Sequence, residues 1–375
     1  MGDVIKDILM AKIFGGGGTP SGGGDTEESG TTGIAEKDVN FYDYDGTCVY
    51  AYTVAEAQAL TELPAGPTHD GLTFQGWNWS LENVKALTRP MSIGAMYITD
   101  DGTTRLYITL QEGRTSPMLG VGVNGTVTVD WGDGTEPDVL TGTSVRATQW
   151  TPNHAYVKPG DYVIRLTVDG EMAFQGNSST SGGACILSYS NGLDKRSYAY
   201  WKALRRVEIG DNVACIDNYA FRRCYKLESI SFPSGFIGIG MEYPFQNCHG
   251  LSALVIPCGV TGVDNYTFRD QYVISQIILP EGVTSFGSSS FRGCNSLTTF
   301  SIPPGISNIG EYTFQDCYSV ACYDFTSHTA VPTLAAASAF GGIPDDCEIR
   351  VPAALYDEWI AATNWATYAD YIKAY

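Results

Sequence analysis

Basic charge is scarce in this chain: 22 Lys and Arg stand against 41 Asp and Glu, a formal net charge of -19. Such a surface repels nucleic acid phosphates and anionic lipid heads, so neither is expected as a partner. Histidine is scarcer still, with four residues scattered one per region as His69, His154, His249 and His328. There is no C-x-x-C pair to suggest zinc, no G-x-S-x-G, no Walker loop and no H-E-x-x-H. An enzyme is therefore not expected, and neither a metal nor another cofactor is implied. Long apolar runs are missing too. The most apolar start, Met1 to Phe14, is too short to span a bilayer, and Asp3, Lys6 and Asp7 interrupt any secretory signal.

What the chain has instead is a period. Phenylalanines fall at Phe221, Phe245, Phe268, Phe291 and Phe314, with spacings of 24, 23, 23 and 23 residues. Three residues after each come Cys224, Cys248, Gln271, Cys294 and Cys317, and six after come Leu227, Leu251, Ile274, Leu297 and Val320. Two further apolar columns and then Pro233, Pro257, Pro280 and Pro303 complete the unit F-x-x-C-x-x-L-x-x-I-x-I-P-x-G. A fixed period of this length with L-x-x-L-x-L at its centre predicts a solenoid. One such coil cannot bury its own apolar face, whereas stacked coils share a continuous core. Four of the ten cysteines sit in one inward column, where a thiol acts as a small buried hydrophobe and no bridge is needed.

The unit resembles the BspA-type leucine-rich repeat family, found in bacterial surface proteins, some protists and bacteriophage structural proteins. It spans about a third of the chain. Two upstream stretches carry resemblances of their own. Phe74-Gln75-Gly76-Trp77, after a hairpin signal at Asp45-Gly46, resembles the internalin-type B repeat. Trp131-Gly132-Asp133-Gly134-Thr135 with His154-Ala155-Tyr156 resembles the polycystic-kidney-disease domain, which implies an immunoglobulin-like sandwich where Asp133 caps a turn and His154 packs near it. Asp130 and Asp133 offer fewer oxygens than the six to eight that calcium prefers. Asp43-Tyr44-Asp45-Gly46-Thr47 matches a phosphatase motif, but that chemistry needs a doubly wound parallel sheet, and hairpins surround it here.

The expected fold is mainly β and multidomain. It comprises an amphipathic attachment helix (1–14), a Gly-rich linker (15–35), a small β module (36–88), an immunoglobulin-like β-sandwich (89–172), a linker and N-terminal cap (173–203), leucine-rich repeats (204–351) and a C-terminal helical cap (352–375).

Two repeat columns hold rings where small polar residues are expected. One, four after the Phe, reads Tyr225, His249, Tyr272, Asn295, Tyr318; the other, two before it, reads Tyr219, Tyr243, Tyr266, Ser289, Tyr312. At roughly the 4.8 Å strand spacing each column becomes an aromatic row about 20 Å long, suited to sugars or protein surfaces. The alternative is that stacked rings merely shield the ladder edge. The expected function is binding: a phage virion component, of tail-fibre or receptor-binding type, that recognises a bacterial surface glycan or protein and joins other virion proteins through its N-terminal helix. Assembly in the host cytoplasm fits the missing signal; a bacterial cell-surface adhesin is the alternative, and homo-oligomerisation is left open. If the N-terminal peg is the attachment device, deleting Met1 to Gly33 leaves a folded, monodisperse protein that no longer joins its assembly, as chromatography and a pull-down would show; unfolding would make the segment part of a core.

Overall fold

The computed structural model describes residues 34–176, 185–188, 202–240 and 242–375. The attachment helix and nearly all of the Gly-rich linker lie outside the described residues, as does most of the expected N-terminal cap.

The first module is a hairpin, β1 (Val39–Tyr42) and β2 (Cys48–Tyr52), followed by α1 (Val54–Gln58), β3 (Leu72–Trp77) and α2 (Leu81–Lys85). Thr53 caps α1 through the expected capping box with Glu56. The sheet is completed by β4 (Met91–Thr99), which runs parallel to β1 and antiparallel to β3, giving the order β2-β1-β4-β3. A boundary at 88 therefore cuts the sheet. β4 is buried through its middle on both faces, so its sequence carries no alternation that assigns it to one sheet or the other.

Next come β5 (Thr104–Leu110), β6 (Met118–Asp130), β7 (Asp138–Trp150) and β8 (Gly160–Phe174), in which β8 pairs with both β5 and β6, and β6 with β7. Residues 173 and 174, expected to open a linker, are the end of β8. The Trp131 motif closes this unit as expected of it: Asp133 Oδ1 accepts from Thr135, its Oδ2 meets His154 Nε2 at 2.9 Å, and the His154 ring stacks on Trp131 at 4.6 Å.

These strands then become the lid of a solenoid of about seven turns. Its first coil contributes β10 (Leu204–Glu208) and β11 (Val213–Ile216), with β9 (Leu187–Ser188) ahead of it on the edge of β6. β5 lies antiparallel along β10, and the end of β8 lies parallel to β11. Both strand rows of the first coil thus receive their missing neighbour from the preceding module, which is how a solenoid end avoids bare edges. At the other end Glu348–Val351 pairs with Ile372–Ala374, and Trp359 and Trp365 pack on Phe325.

Inside, Phe221, Phe245, Phe268, Phe291, Phe314 and Phe340 form a stack with successive centroids 5.5, 5.6, 5.6, 5.4 and 5.2 Å apart. The neighbouring cysteine column does more than fill space. Cys248, Cys294 and Cys317 each donate a thiol hydrogen bond to the Phe carbonyl of the preceding coil, at 2.9, 3.1 and 3.2 Å. Gln271, the odd member of the column, keeps the pattern by donating its amide to the Phe245 carbonyl. The column is buried in the core as expected, and its thiols act as donors as well, because these carbonyls are buried and need partners. All ten cysteines are free.

The first module lies along this solenoid, and proline explains how. Four successive strands are closed by Pro233, Pro257, Pro280 and Pro303, which have no N–H to give the ladder. Carbonyls of the residues just before these prolines take donors from the first module instead. The Tyr97 N–H donates to Phe232 O (2.9 Å), Asn78 Nδ2 to Ile256 O (3.0 Å) and Trp79 Nε1 to Leu279 O (2.9 Å). The Arg89 guanidinium donates to Ile302 O and, at 2.9 Å, to Ser327 Oγ. Tyr42 and Cys48 pack on Val255 and Ile278 between them. Four successive coils are held, and each donor removed strands a buried carbonyl at a cost of about 1–3 kcal/mol.

His328, 4% exposed, is buried beside this clamp, with its Nδ1 on Phe325 O. Burial, then the positive charge of Arg89, pushes its pKa down to about 4. A histidine depressed on folding binds its proton better when unfolded, so stability is complete above about pH 6.5 and drains as pH falls towards 4. In urea melts, His328→Asn should flatten the pH dependence between 7 and 4.5, in which the native protein loses up to about 3 kcal/mol. Equal slopes for the two proteins would place the acid sensitivity elsewhere.

Candidate functional site

The first module covers the first strand row; the second strand row and the side built from turns, where both ring columns lie, stay open in coils one to five. Two residues of every coil adopt the left-handed conformation there. The column two before the Phe has φ of 60° (Tyr219), 55° (Tyr243), 60° (Tyr266), 55° (Ser289) and 55° (Tyr312). The column two after it has 62° (Arg223), 62° (Asn247), 60° (Asp270), 74° (Gly293) and 64° (Asp316). Asn, Asp and Gly are ordinary at such angles, whereas a bulky ring is not. Sharp turns at both positions let the chain double back around the buried Phe within one coil height, so that only side chains pointing outwards remain for recognition.

The two rows differ. Tyr219, Tyr243 and Tyr266 stack nearly face to face, with centroids at 5.5 and 4.4 Å and planes 16° and 10° apart. Their faces cover one another, leaving edges and hydroxyls outward; the Tyr219 hydroxyl donates to Glu242. In the other row Tyr225, His249 and Tyr272 follow at 5.1 Å each but tilted by 39° and 47°, which leaves part of each ring face open. Burial holds the His249 pKa below its ordinary value, so the ring is neutral near pH 7. Ser289 and Asn295, the non-aromatic members of the two columns, interrupt both rows in the fourth coil, so that each row has three contiguous rings. Beyond the break Tyr312 and Tyr318 stand exposed, Tyr318 at 58% with its hydroxyl on Asp316.

A column missed in the sequence ties the rows together. The residue after each Phe reads Arg222, Gln246, Arg269, Arg292, Gln315. The Arg222 guanidinium lies 5.4 Å from both the Tyr219 and Tyr243 rings, Arg269 lies 5.7 Å from Tyr266, and Arg292 lies 5.7 Å from Tyr312. Arg292 also pairs with Asp316 at 3.6 Å, and Asp316 in turn accepts from Tyr318. The chain Tyr312–Arg292–Asp316–Tyr318 therefore crosses from one row to the other on a single surface. Reading the period one column further would have found these arginines, but rings drew attention and charges at a solvated face did not.

Elsewhere the acidic motif of the first module and the charges around coil one are paired internally. Asp43 and Asp45 of the phosphatase-like motif hold their own hairpin, and Asp43 meets His69 Nε2 at 2.7 Å. Burial raises the Asp43 pKa. A cavity of about 480 Å³ where the first module meets coil one is lined by Tyr107, Arg205, Arg206 and Glu228, but Arg205 pairs with Glu228 at 2.6 Å and Arg206 lies over Tyr107. Among the described residues there is no cluster of three or more His, Cys, Asp or Glu that could hold a metal ion, and no helix long and apolar enough to cross a membrane.

The coils are leucine-rich repeats. Residues 192–321 match the family model described as the BspA type leucine rich repeat region, in six copies. Similar solved structures include a leucine-rich repeat protein from Bacteroides ovatus ATCC 8483, with 22% identity over 38% of this chain and 42% of that one and a TM-score of 0.31. A T. pallidum leucine rich repeat protein shows 21% identity over 38% of this chain and 68% of that one, TM-score 0.29. A leucine rich cell surface protein from Faecalibacterium prausnitzii A2-165 shows 18% identity over 41% and 55%, TM-score 0.26. The match to the first of these spans less than half of its length. No curated protein matches the chain.

If the stacked row supports the fold, ring and backbone act in opposite directions. Tyr243→Gly relieves a left-handed tyrosine, worth about 1 kcal/mol, but loses two ring neighbours and their burial. Tyr312→Gly relieves the same strain and loses no stacked ring. Denaturant melts should show Tyr243→Gly destabilised by about 1–2 kcal/mol and Tyr312→Gly unchanged or more stable. Equal gains in both variants would mean that the stack contributes nothing.

Proposed function

We propose that this is a non-enzymatic binding protein acting at a cell surface, which engages a bacterial surface glycan or protein through the turn face of its repeats. The observation that carries the reading is the coverage of the first strand row: Tyr97, Asn78, Trp79 and Arg89 occupy four coils of it, and of the sides left open the turn face is the one that carries periodic tyrosines. Tyrosine presents a flat apolar ring and a hydroxyl at small entropic cost, which suits such recognition. Within that face, the tilted row Tyr225, His249 and Tyr272, with Tyr318 beyond it, contributes ring faces, while Tyr219, Tyr243, Tyr266 and Tyr312 contribute hydroxyls and edges. The arginines between them fix the tyrosines of the stacked row.

The phage virion expected from the sequence gains no support from the matches, and the cell-surface alternative is the reading favoured here. Replacing Tyr225, Tyr272 and Tyr318 together with asparagine, which the fourth coil already carries at this column, should abolish binding to bacterial cells or their isolated surface glycans while the melting temperature stays within a few degrees. Survival of binding with a fall in stability would make the row structural and place the site elsewhere.

A further inference from the structure

Several strand edges in this molecule are covered. β5 and the end of β8 lie along the two rows of coil one, the Ile34 N–H donates to Cys48 O at 3.1 Å at the start of β2, and a bulge at Gln75 breaks the ladder of β3. β7 has no such cover. It pairs with β6 alone, and among the described residues the backbone of Asp138 to Ser144 has no hydrogen-bond partner beyond β6. Alternate residues of this stretch turn their N–H and C=O groups outward, along about 23 Å of strand. Natural sheets blunt such an edge with lysine, proline or a bulge. Asp138 to Ser144 contains no lysine and no proline, and the bulge comes only after it: the pairing jumps from Val123–Ser144 to Gly122–Thr148, and the Val145 carbonyl in between accepts from Gln175 Nε2 at 2.7 Å. Val139, 60% exposed, and the exposed Thr141 and Thr143 follow one another along one side of the strand, and β-branched residues of this kind pair well across strands.

We propose that this edge joins a second copy of the chain, β7 against β7, antiparallel about a two-fold axis at Thr141. Two copies of one strand can exchange backbone hydrogen bonds only where both opposed residues turn their N–H and C=O outward, so the axis must pass through a residue and not between two. An axis at Thr141 uses the whole regular stretch 138–144, whereas one at Leu140 uses only 138–142 and one at Gly142 only 140–144, because Pro137 stands before the stretch and the bulge after it. Thr141 then faces its own copy, flanked on each side by Leu140 against Gly142, Val139 against Thr143 and Asp138 against Ser144. Asp138 is the single charge of the stretch, so no like charges oppose each other. Just beyond the ladder the same register brings Glu136 and Arg146, both exposed, towards each other at either end. The net charge of -19 opposes self-association in general, but physiological salt screens it beyond about 8 Å. An unrelated extended peptide would meet the same backbone groups without this symmetry, and the self-complementary register is what favours a second copy. The pairing does not depend on the turn face being the binding surface. Where that reading holds, two turn faces on one particle engage a surface of repeated epitopes with avidity.

The test is sedimentation velocity of the full chain over a series of concentrations, with thermal melts of every variant as a folding check. The native protein should shift from monomer to dimer as its concentration rises. Thr141→Lys and Thr141→Glu each set like charges against one another across the axis and should weaken the dimer about tenfold or more. An equal mixture of the two variants should restore it, because unlike charges then meet. Thr167→Lys adds the same charge at an exposed position of β8, between β5 and β6 and away from the edge, and should change the dimer less than about twofold. A native protein that stays monomeric throughout would overturn the proposal, and so would a dimer that persists unchanged in Thr141→Lys. Monomeric single variants whose mixture also stays monomeric would overturn the two-fold axis at Thr141. An equal loss in Thr167→Lys would trace the association to the sheet face or to overall charge, and overturn the edge.

Discussion

A proline cannot donate to a β ladder, and this one constraint shapes more of the molecule than any single contact. Four coils in succession end their strand with proline, which gives a sharp exit towards the turn but removes a donor from the ladder where a buried carbonyl wants one. The protein meets that need from outside the repeat. A backbone N–H, a carboxamide, an indole and a guanidinium from the first module reach Phe232, Ile256, Leu279 and Ile302 in register with the coils. The donors come from the end of β4, from the residues around α2 and from the approach to β4, so the module must lie lengthwise along the solenoid to place them. Three parts of the chain that read as separate beads in sequence are consequently one hydrogen-bonded body from residue 34 onwards.

That arrangement decides where function can reside. The coils present two strand rows and a turn side, and here the first strand row is spent on internal cohesion. The turn side is open, and its chemistry is unusual for turns: tyrosine at left-handed positions where asparagine or glycine would be easier. The fold tolerates this because the turn is over-determined by the buried Phe stack and by the donor column of cysteines and Gln271 beneath it. The strain is distributed, one position per coil, and the stacking of Tyr219, Tyr243 and Tyr266 offsets part of it where the rings meet.

The solenoid was legible because its information is periodic. Any column of the 23-residue unit can be read five times, and Phe, Leu and Pro each recur with an evident structural reason. The tertiary arrangement was not, because the residues that make it occur once. Asn78, Trp79 and Arg89 carry no pattern in the sequence; they acquire meaning only when prolines of another module are counted as missing donors. The division at 88 failed for the same reason, since the largely buried run of β4 suits the close of the first sheet as well as the start of the second. Within the site, the columns were found but their geometry was not. Ring identity is visible in sequence, whereas the difference between a 10° stack and a 47° tilt depends on how each backbone position aims its Cβ.

The two rows show why one sequence feature can have two physical outcomes. The position two before the Phe is left-handed, and its rings fall flat against one another. The position four after it lies beyond the second left-handed residue and next to the next buried position, and Tyr225 leans on the core while Tyr272, 46% exposed, leans out. Stack and tilt thus divide the work: the closed row stiffens the turn face and positions the arginines by cation–π contact, worth roughly 0.5–1 kcal/mol each at such exposure, and the open row keeps ring faces for a partner. A surface that is both rigid and partly unsatisfied is what binding requires, because a mobile one would spend its contact energy on ordering itself.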